Sequence, residues 1–325
     1  MAGIFVKPSN ALSAGYSYLK SSFSGKVSVA GMPVAISAEL TNHCNLHCPE
    51  CPSGSGLMKR ERGFMDVELY RRVISELRPY LYNCNLYFQG ESMLHPQFFS
   101  FLGNSSKIHT IISTNGHFLS EQNSEKLVKS GLSKLIVSLD GMDQDTYSSY
   151  RENGNINKVI DGIKNISEAK KRYRSPLKLE IQFLVNKNNK HQIPQIKRFA
   201  HEVSASLKLK SMQIMNKEDI GSWLPTREKF RRYENKNGEY ILKNSLPNRC
   251  LRLWLNPVIT WDGKVVPCCF DKDAEYVMGD LNNDSFRDIW NGTKYTVFRK
   301  SVISGRHMTG ICRNCTSGLR WGISR

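Results

Sequence analysis

Two hydrophobic rhythms alternate along residues 33–215. Short runs rich in β-branched and aromatic side chains, each bounded by turn residues, read as strands at 33–40 (PVAISAEL), 83–89 (NCNLYFQ), 109–114 (HTIIST), 135–139 (LIVSL), 177–185 (LKLEIQFLV) and 209–215 (LKSMQIM). Between them, apolar residues recur at helical spacing over 66–78, 120–130, 157–173 and 192–206. Asp66, Ser120 and Asn157 stand where N-caps are expected. Strands alternating with helices imply parallel pairing through right-handed crossovers. Six such strands fit an α/β fold, an open (β/α)6 partial TIM-like barrel, and fall short of a closed eight-stranded one. In barrels of this kind chemistry gathers at the C-terminal strand ends.

The flanks differ from this pattern. Residues 1–32 form an N-terminal extension, in which 10–23 reads as a short amphipathic helix, expected to pack on the protein rather than to anchor in a membrane. Residues 216–249 are polar, basic and weakly periodic, and are read as a linker or bridging region with room for one helix. Residues 250–325 form a small cysteine-rich α+β module. No stretch approaches the ~18 apolar residues of a membrane span, and no signal-peptide pattern opens the chain, so a cytoplasmic protein is expected.

Composition sharpens this picture in two places. A hydrophobic share of 40% supports a real core, and a net charge of +17 implies either a solvated basic face or an anionic partner. Such a partner would be a phosphorylated or nucleotide-linked sugar, an acidic peptide, nucleic acid or a membrane surface. The basic residues are scattered and not interleaved with aromatics, which disfavours nucleic acid. The nine cysteines are odd in number and fall in short-spaced clusters, which favours metal ligation over a disulfide framework.

The first cluster, TNHCNLHCPECP, gives Cys44-x3-Cys48-x2-Cys51 directly after the first expected strand. Thiolates are soft ligands suited to iron–sulfur clusters. Three on one loop can hold a [4Fe–4S] cubane and leave one iron open. The competing reading is a zinc site that takes a fourth ligand from His43, His47 or a distant cysteine. The position after the first strand of a β/α repeat argues against zinc. In the C-terminal module, Asp262-Gly263 reads as a hairpin turn that would bring Cys250 and Cys268 together, and Cys312-x2-Cys315 supplies two more thiolates. Four cysteines complete one cluster with no open iron. A zinc ribbon is the alternative here too.

Taken together, these motifs resemble the radical S-adenosylmethionine (SAM) superfamily, with a C-terminal module similar to the SPASM type in its shorter, single-cluster twitch form. Two departures stand out. Glu50 precedes the third cysteine where an aromatic residue is usual, and Gln89 replaces the first glycine of a GGE motif, giving Gln89-Gly90-Glu91. The resemblance implies that the open iron is chelated by the amino and carboxylate groups of SAM, and that Gly90 and Glu91 meet its amino group. It further implies polar SAM contacts from Ser113, Asn115, Ser138 and Arg151, and packing of Val185 on the adenine. Arg151 suits a carboxylate because its guanidinium forms forked, charge-assisted pairs.

From the same resemblance, the reduced cluster cleaves SAM to a 5′-deoxyadenosyl radical that takes a hydrogen atom from a substrate C–H bond. A second, auxiliary [4Fe–4S] cluster and a flavodoxin- or ferredoxin-type reductant are also implied. The expected reaction is oxidation, or epimerisation, of a carbohydrate-like or other anionic small molecule. Maturation of a ribosomal peptide is the runner-up. A reading from a different class is a non-catalytic iron–sulfur or zinc-binding protein. Cys84 is expected to be a buried small hydrophobe. Cys269 is read as a spare ligand, a structural thiol or, in an epimerase, the hydrogen-atom donor.

Overall fold

The computed structural model describes residues 5–243 and 246–315. Its strands are β1 (Ala35–Ala38), β2 (Asn83–Asn85), β3 (His109–Thr114), β4 (Lys134–Ser138), β5 (Lys178–Val185), β6 (Ser206–Ser211), β7 (Tyr233–Lys236), β8 (Glu239–Leu242), β9 (Val258–Ile259), β10 (Lys264–Val266) and β11 (Gly279–Asp280). The described residues divide into two compact units. One comprises 5–43, 58–110 and 246–315; the other comprises 44–57 and 111–243.

In the first unit β1 pairs in parallel with β2 and with β9, and β9, β10 and β11 continue as an antiparallel meander. The β9–β10 turn is the expected Asp262-Gly263 hairpin, with Gly263 at φ 86°. Asp66 caps the helix Val67–Leu77 by accepting from the Glu68 and Leu69 N–H groups. That helix buries Leu69, Tyr70, Val73, Ile74 and Leu77, the spacing of a single apolar face. At the end of β1, Glu39 is fully buried and takes a two-bond fork from Arg60 at 2.7 and 2.8 Å. Burial pushes the Glu39 carboxyl up, and the Arg60 fork opposes this.

In the second unit β3 to β6 are all parallel. Their two faces differ in chemistry. Leu135 and Val137 on β4, and Ile181, Phe183 and Val185 on β5, are fully buried on one face. Val137 meets Val159 of the helix Ile156–Arg172 around Gly116, so this face is the one the helices cover. The opposite face, which also carries Ile136 and Leu184, is mostly polar. Lys134 pairs with Glu180 at 2.7 Å, Gln182 donates to Glu180 at 2.7 Å, and Lys210 donates to Gln182 at 2.8 Å.

Several expectations need correction. The second strand is shorter than 83–89, because the Leu86 carbonyl accepts from Ser92 Oγ at 2.7 Å instead of joining a ladder. The helix expected over 192–206 is Ile193–Glu202, and left-handed Ser204 (φ 52°) turns the chain early, so β6 begins at Ser206 rather than 209. The cap of Ile156–Arg172 is Asn155, not Asn157, and it accepts from the Lys158 N–H. The helices Phe98–Asn104 and Gln144–Ser148 were not foreseen. Residues 216–243 hold a β-hairpin, β7–β8, as well as short helical turns. Its turn is Asn237-Gly238, both left-handed, a pair that strongly favours two-residue hairpins and was legible in the sequence.

The N-terminal helix is longer than expected, Val6–Ser24. It does pack on the protein, but through its small and polar residues.

Phe183→Ala should destabilise the protein by about 3–5 kcal/mol through the cavity it leaves. Anaerobic urea denaturation measures this, and a loss below ~1 kcal/mol would contradict the packing described.

Candidate functional site

The loop bearing Cys44, Cys48 and Cys51 lies in the second unit. All three pack against one apolar cluster built from Leu46, Tyr150, Met212, Ile214, Ile220 and Tyr233. The loop is held by local bonds. The Cys51 N–H donates to the Cys48 carbonyl at 3.2 Å, and Pro52 opens a one-turn helix, Pro52–Ser55, whose Ser55 hydroxyl returns to the Cys51 carbonyl. Gly54 runs so close that a Cβ there would stand 2.6 Å from the Cys48 nitrogen. Glu50, in the place of the usual aromatic residue, is buried and accepts from the Met215 N–H at 2.5 Å, tying the loop to the segment after β6.

The sequence-derived positions arrange around this loop. Arg151 Nε donates to Asp140 Oδ2 at 2.6 Å, and its Nη1 lies 3.7 Å from Cys48 Sγ. Asp140 is buried and is itself fixed by the Leu184 N–H at 2.6 Å. Burial raises the Cys48 thiol pKa, while the Arg151 cation pulls it the other way. Burial also opposes the charge on Arg151, but Asp140 and Cys48 outweigh it and keep the guanidinium cationic. Asn115 donates to Asn45 within the cysteine loop at 2.8 Å. Ser113 and Ser138 are half-buried, Ser138 in register with Gln182. Val185 is fully buried on the opposite face of β5, whereas Leu184, one residue earlier, packs against the cysteine-bearing cluster. The strand's period of two therefore sets Leu184, not Val185, on the cysteine side.

The histidines raised as zinc ligands have other partners. His43 stacks on Phe64 at 4.8 Å, and His47 Nδ1 bonds Asn153 at 2.6 Å.

In the first unit, Gly90 has φ 74°, and a Cβ there would lie 2.6 Å from the carbonyl oxygens of both Thr41 and His43. Only glycine fits without displacing backbone. The Glu91 N–H donates to the His43 carbonyl at 2.8 Å, and its buried carboxylate accepts from the Met93 N–H at 3.1 Å. Gln89 is buried beside it.

The same unit carries the second cysteine set. Cys250, Cys268, Cys312 and Cys315 are all buried and line one small cavity together with Arg252 and Arg306. Arg306 Nη2 stands 3.4 Å from Cys315 Sγ, and Arg252 Nη1 stands 3.3 Å from Cys269 Sγ. Burial pushes the Cys312 thiol up to about 11 and drives Cys268 well above the ordinary thiol value. Cys269 is half-buried and is not among the residues lining the cavity. Cys84 is a fully buried thiol 3.4 Å from Tyr70 Oη, pushed up to about 12 by burial. The two arginines were missed from sequence, where an arginine near a cysteine carries no recognisable signal.

The donor sets fit iron–sulfur clusters. Three thiols pack against one apolar cluster, with the Arg151 cation beside Cys48. Four more enclose a cavity with two guanidinium groups. Thiolates buried this way need a positive counterpart, which cluster iron and arginine supply.

Comparison with known proteins agrees with these features. Residues 38–200 match the family described as the radical SAM superfamily, and residues 250–316 match an iron–sulfur cluster-binding domain, SPASM. The chain is similar to the S-adenosyl-L-methionine-dependent 2-deoxy-scyllo-inosamine dehydrogenase of Niallia circulans, at 24% identity over 87% of this chain and 92% of that protein. In fold it resembles BtrN in complex with AdoMet and 2-DOIA (TM-score 0.53, 21% identity, 89% and 94% of the two chains). It also resembles Streptococcus suis SuiB bound to the precursor peptide SuiA (TM-score 0.64, 14% identity, 96% and 76%). These likenesses establish an α/β, partial TIM-like fold.

Asp140→Ala should cost about 3–5 kcal/mol, because it strands a buried guanidinium. Adding Arg151→Leu should recover part of that loss. Denaturation of the single and double variants checks both, and additive losses would refute the coupling.

Proposed function

The chain belongs to the radical SAM superfamily, and on that premise we propose that it is an oxidoreductase acting on a C–H bond of a carbohydrate-like, anionic small molecule. The observation that carries this reading is the presence, in one chain, of a three-cysteine loop and a separate four-cysteine cavity. The first set suits a cluster with an open iron, and the second suits a fully ligated one.

Cys44, Cys48 and Cys51 would hold the SAM-binding cluster, and Cys250, Cys268, Cys312 and Cys315 the auxiliary one. With its cofactors bound, the enzyme would have a 5′-deoxyadenosyl radical available for hydrogen-atom abstraction. The chain's own residues do the remaining work. Arg151, held by Asp140, offers a cation beside Cys48 where a carboxylate would dock. Gly90 lets the backbone that carries Glu91 lie against the Thr41 and His43 carbonyls, and Glu91 would meet the ammonium group of SAM. Ser113 and Ser138 offer polar atoms on the half-buried side of their strands, Asn115 would add a polar contact just after β3, and Leu184 would supply an apolar one. Arg252 and Arg306 offset the negative charge of four thiolates.

An anionic substrate is supported by the net charge of +17 and by Lys208 and Lys210, which stand in register with Gln182 and Leu184 on the polar face. A sugar-like substrate is supported by the likeness to the inosamine dehydrogenase. Oxidation is favoured over epimerisation by the likeness to a dehydrogenase. The likeness to SuiB with its precursor peptide supports peptide modification as a second reading. A low-potential flavodoxin- or ferredoxin-type protein in a reducing cytoplasm would supply the electrons. No helix among the described residues is long and apolar enough to cross a membrane.

Anaerobically reconstituted protein should hold about eight irons per chain and convert SAM to 5′-deoxyadenosine. Cys48→Ala should halve the iron and abolish SAM cleavage. Cys268→Ala should also halve the iron, yet keep substrate-free SAM cleavage while losing product formation. Deuterium transfer from labelled sugar phosphates, but not from peptides, into 5′-deoxyadenosine would support the substrate class. Full cleavage activity in Cys48→Ala protein would overturn the assignment.

A further inference from the structure

The helix Val6–Ser24 is amphipathic the wrong way round for a packing element. Its buried positions are small: Ala14, Ser17 and Ser21. Its large apolar residues Leu12, Tyr16, Leu19 and Phe23, with Phe5 just before it, face solvent and are between 51% and 81% exposed. At 3.6 residues per turn these five side chains fall within an arc of about 60°. The buried residues lie on the opposite side of the helix. The exposed residues therefore form one continuous stripe, unlike the scattered apolar residues of an ordinary surface.

This orientation is enforced by specific bonds and is not a loose docking of the helix. Asn10 exchanges two hydrogen bonds with Met32, at 2.9 and 2.8 Å. Ser17 Oγ accepts from the Ala30 N–H at 2.8 Å, and Ser21 Oγ accepts from the Ser28 N–H at 2.8 Å. Tyr18 packs edge-on against Trp254 at 5.7 Å. The polar face is thus fixed inward, and the helix cannot roll to bury its apolar stripe without breaking these bonds.

The charge around the stripe identifies what it fits. Lys20 borders the stripe and Lys26 follows the helix, whereas Lys7 turns the other way over the Tyr82 ring at 5.9 Å; no Asp or Glu occurs before Glu39. A stripe of Phe, Leu and Tyr bordered by Lys20, followed by Lys26 and free of acidic residues, is the pattern of a helix that lies in the plane of an anionic lipid surface. Each flanking lysine adds attraction to acidic headgroups. A protein partner of ordinary composition gives no reason for acidic residues to be excluded so completely.

We propose that Val6–Ser24 is an interfacial helix that seats the enzyme peripherally on an anionic lipid bilayer through Phe5, Leu12, Tyr16, Leu19 and Phe23. None of these residues belongs to the cysteine sites, so the enzyme's chemistry and its membrane attachment are separable. The test is co-sedimentation of the full-length, cluster-loaded protein with vesicles of about 3:1 phosphatidylcholine and phosphatidylglycerol. The wild-type protein should sediment with these vesicles, bind phosphatidylcholine alone at least about fivefold more weakly, and lose binding as salt rises. Leu12→Ser combined with Phe23→Ser should weaken binding by at least about tenfold while leaving iron content and SAM cleavage unchanged. Phe23→Trp should retain it, since tryptophan suits the interface. Wild-type protein that stays in the supernatant would overturn the proposal, as would a double variant that still sediments. A wild-type dimer that the double variant dissolves, with no vesicle binding, would assign the stripe to a second copy and would likewise overturn it.

Discussion

A buried thiolate is tolerable only where positive charge stands beside it, and the described structure is organised around that constraint. Each of its two cysteine sets is matched with arginine. Arg151 stands against Cys48, and Arg252 and Arg306 sit at the four-cysteine cavity. The arginines are in turn costly to bury. Arg151 is held by Asp140, which the Leu184 N–H fixes in place, so one carboxylate links the cysteine loop, the guanidinium and the end of β5. Arg306 is anchored through the Arg249 carbonyl at 2.8 Å. Electroneutrality in a low-dielectric interior thus explains why these side chains occur together.

The strands supply the precision that this requires. Along β5 the side chains alternate strictly, with Ile181, Phe183 and Val185 turned to the covered face and Glu180, Gln182 and Leu184 to the other. A one-residue slip would exchange the two sets. Apolar packing on one face therefore fixes which polar atoms the other face presents. The lysine–glutamate–glutamine network on that polar face is a consequence of register, not an independent design.

The N-terminal helix follows a different logic. Its serines and asparagine are spent on holding it down, which leaves its large apolar residues outside. An amphipathic pattern by itself does not say which face is buried.

Much of the fold was legible in the sequence because it rests on local rules. β3 was read to the residue, the Asp66 and Ser120 caps hold their helices, and Asp262-Gly263 turns its hairpin. The Cys44-x3-Cys48-x2-Cys51 spacing, together with the second cysteine set, identified the superfamily, since ligands on one loop need little tertiary help to converge. What only the tertiary structure decided are the contacts between residues far apart in sequence. Glu50 meets Met215, Arg151 reaches Cys48, and Arg252 and Arg306 gather at the cysteine cavity. Whether Leu184 or Val185 faces the cysteines depends on strand register, and which side of the first helix is buried depends on hydrogen bonds to residues 28–32. Local propensity fixes how a segment folds. Only packing against distant segments fixes which side chains that segment turns towards the chemistry.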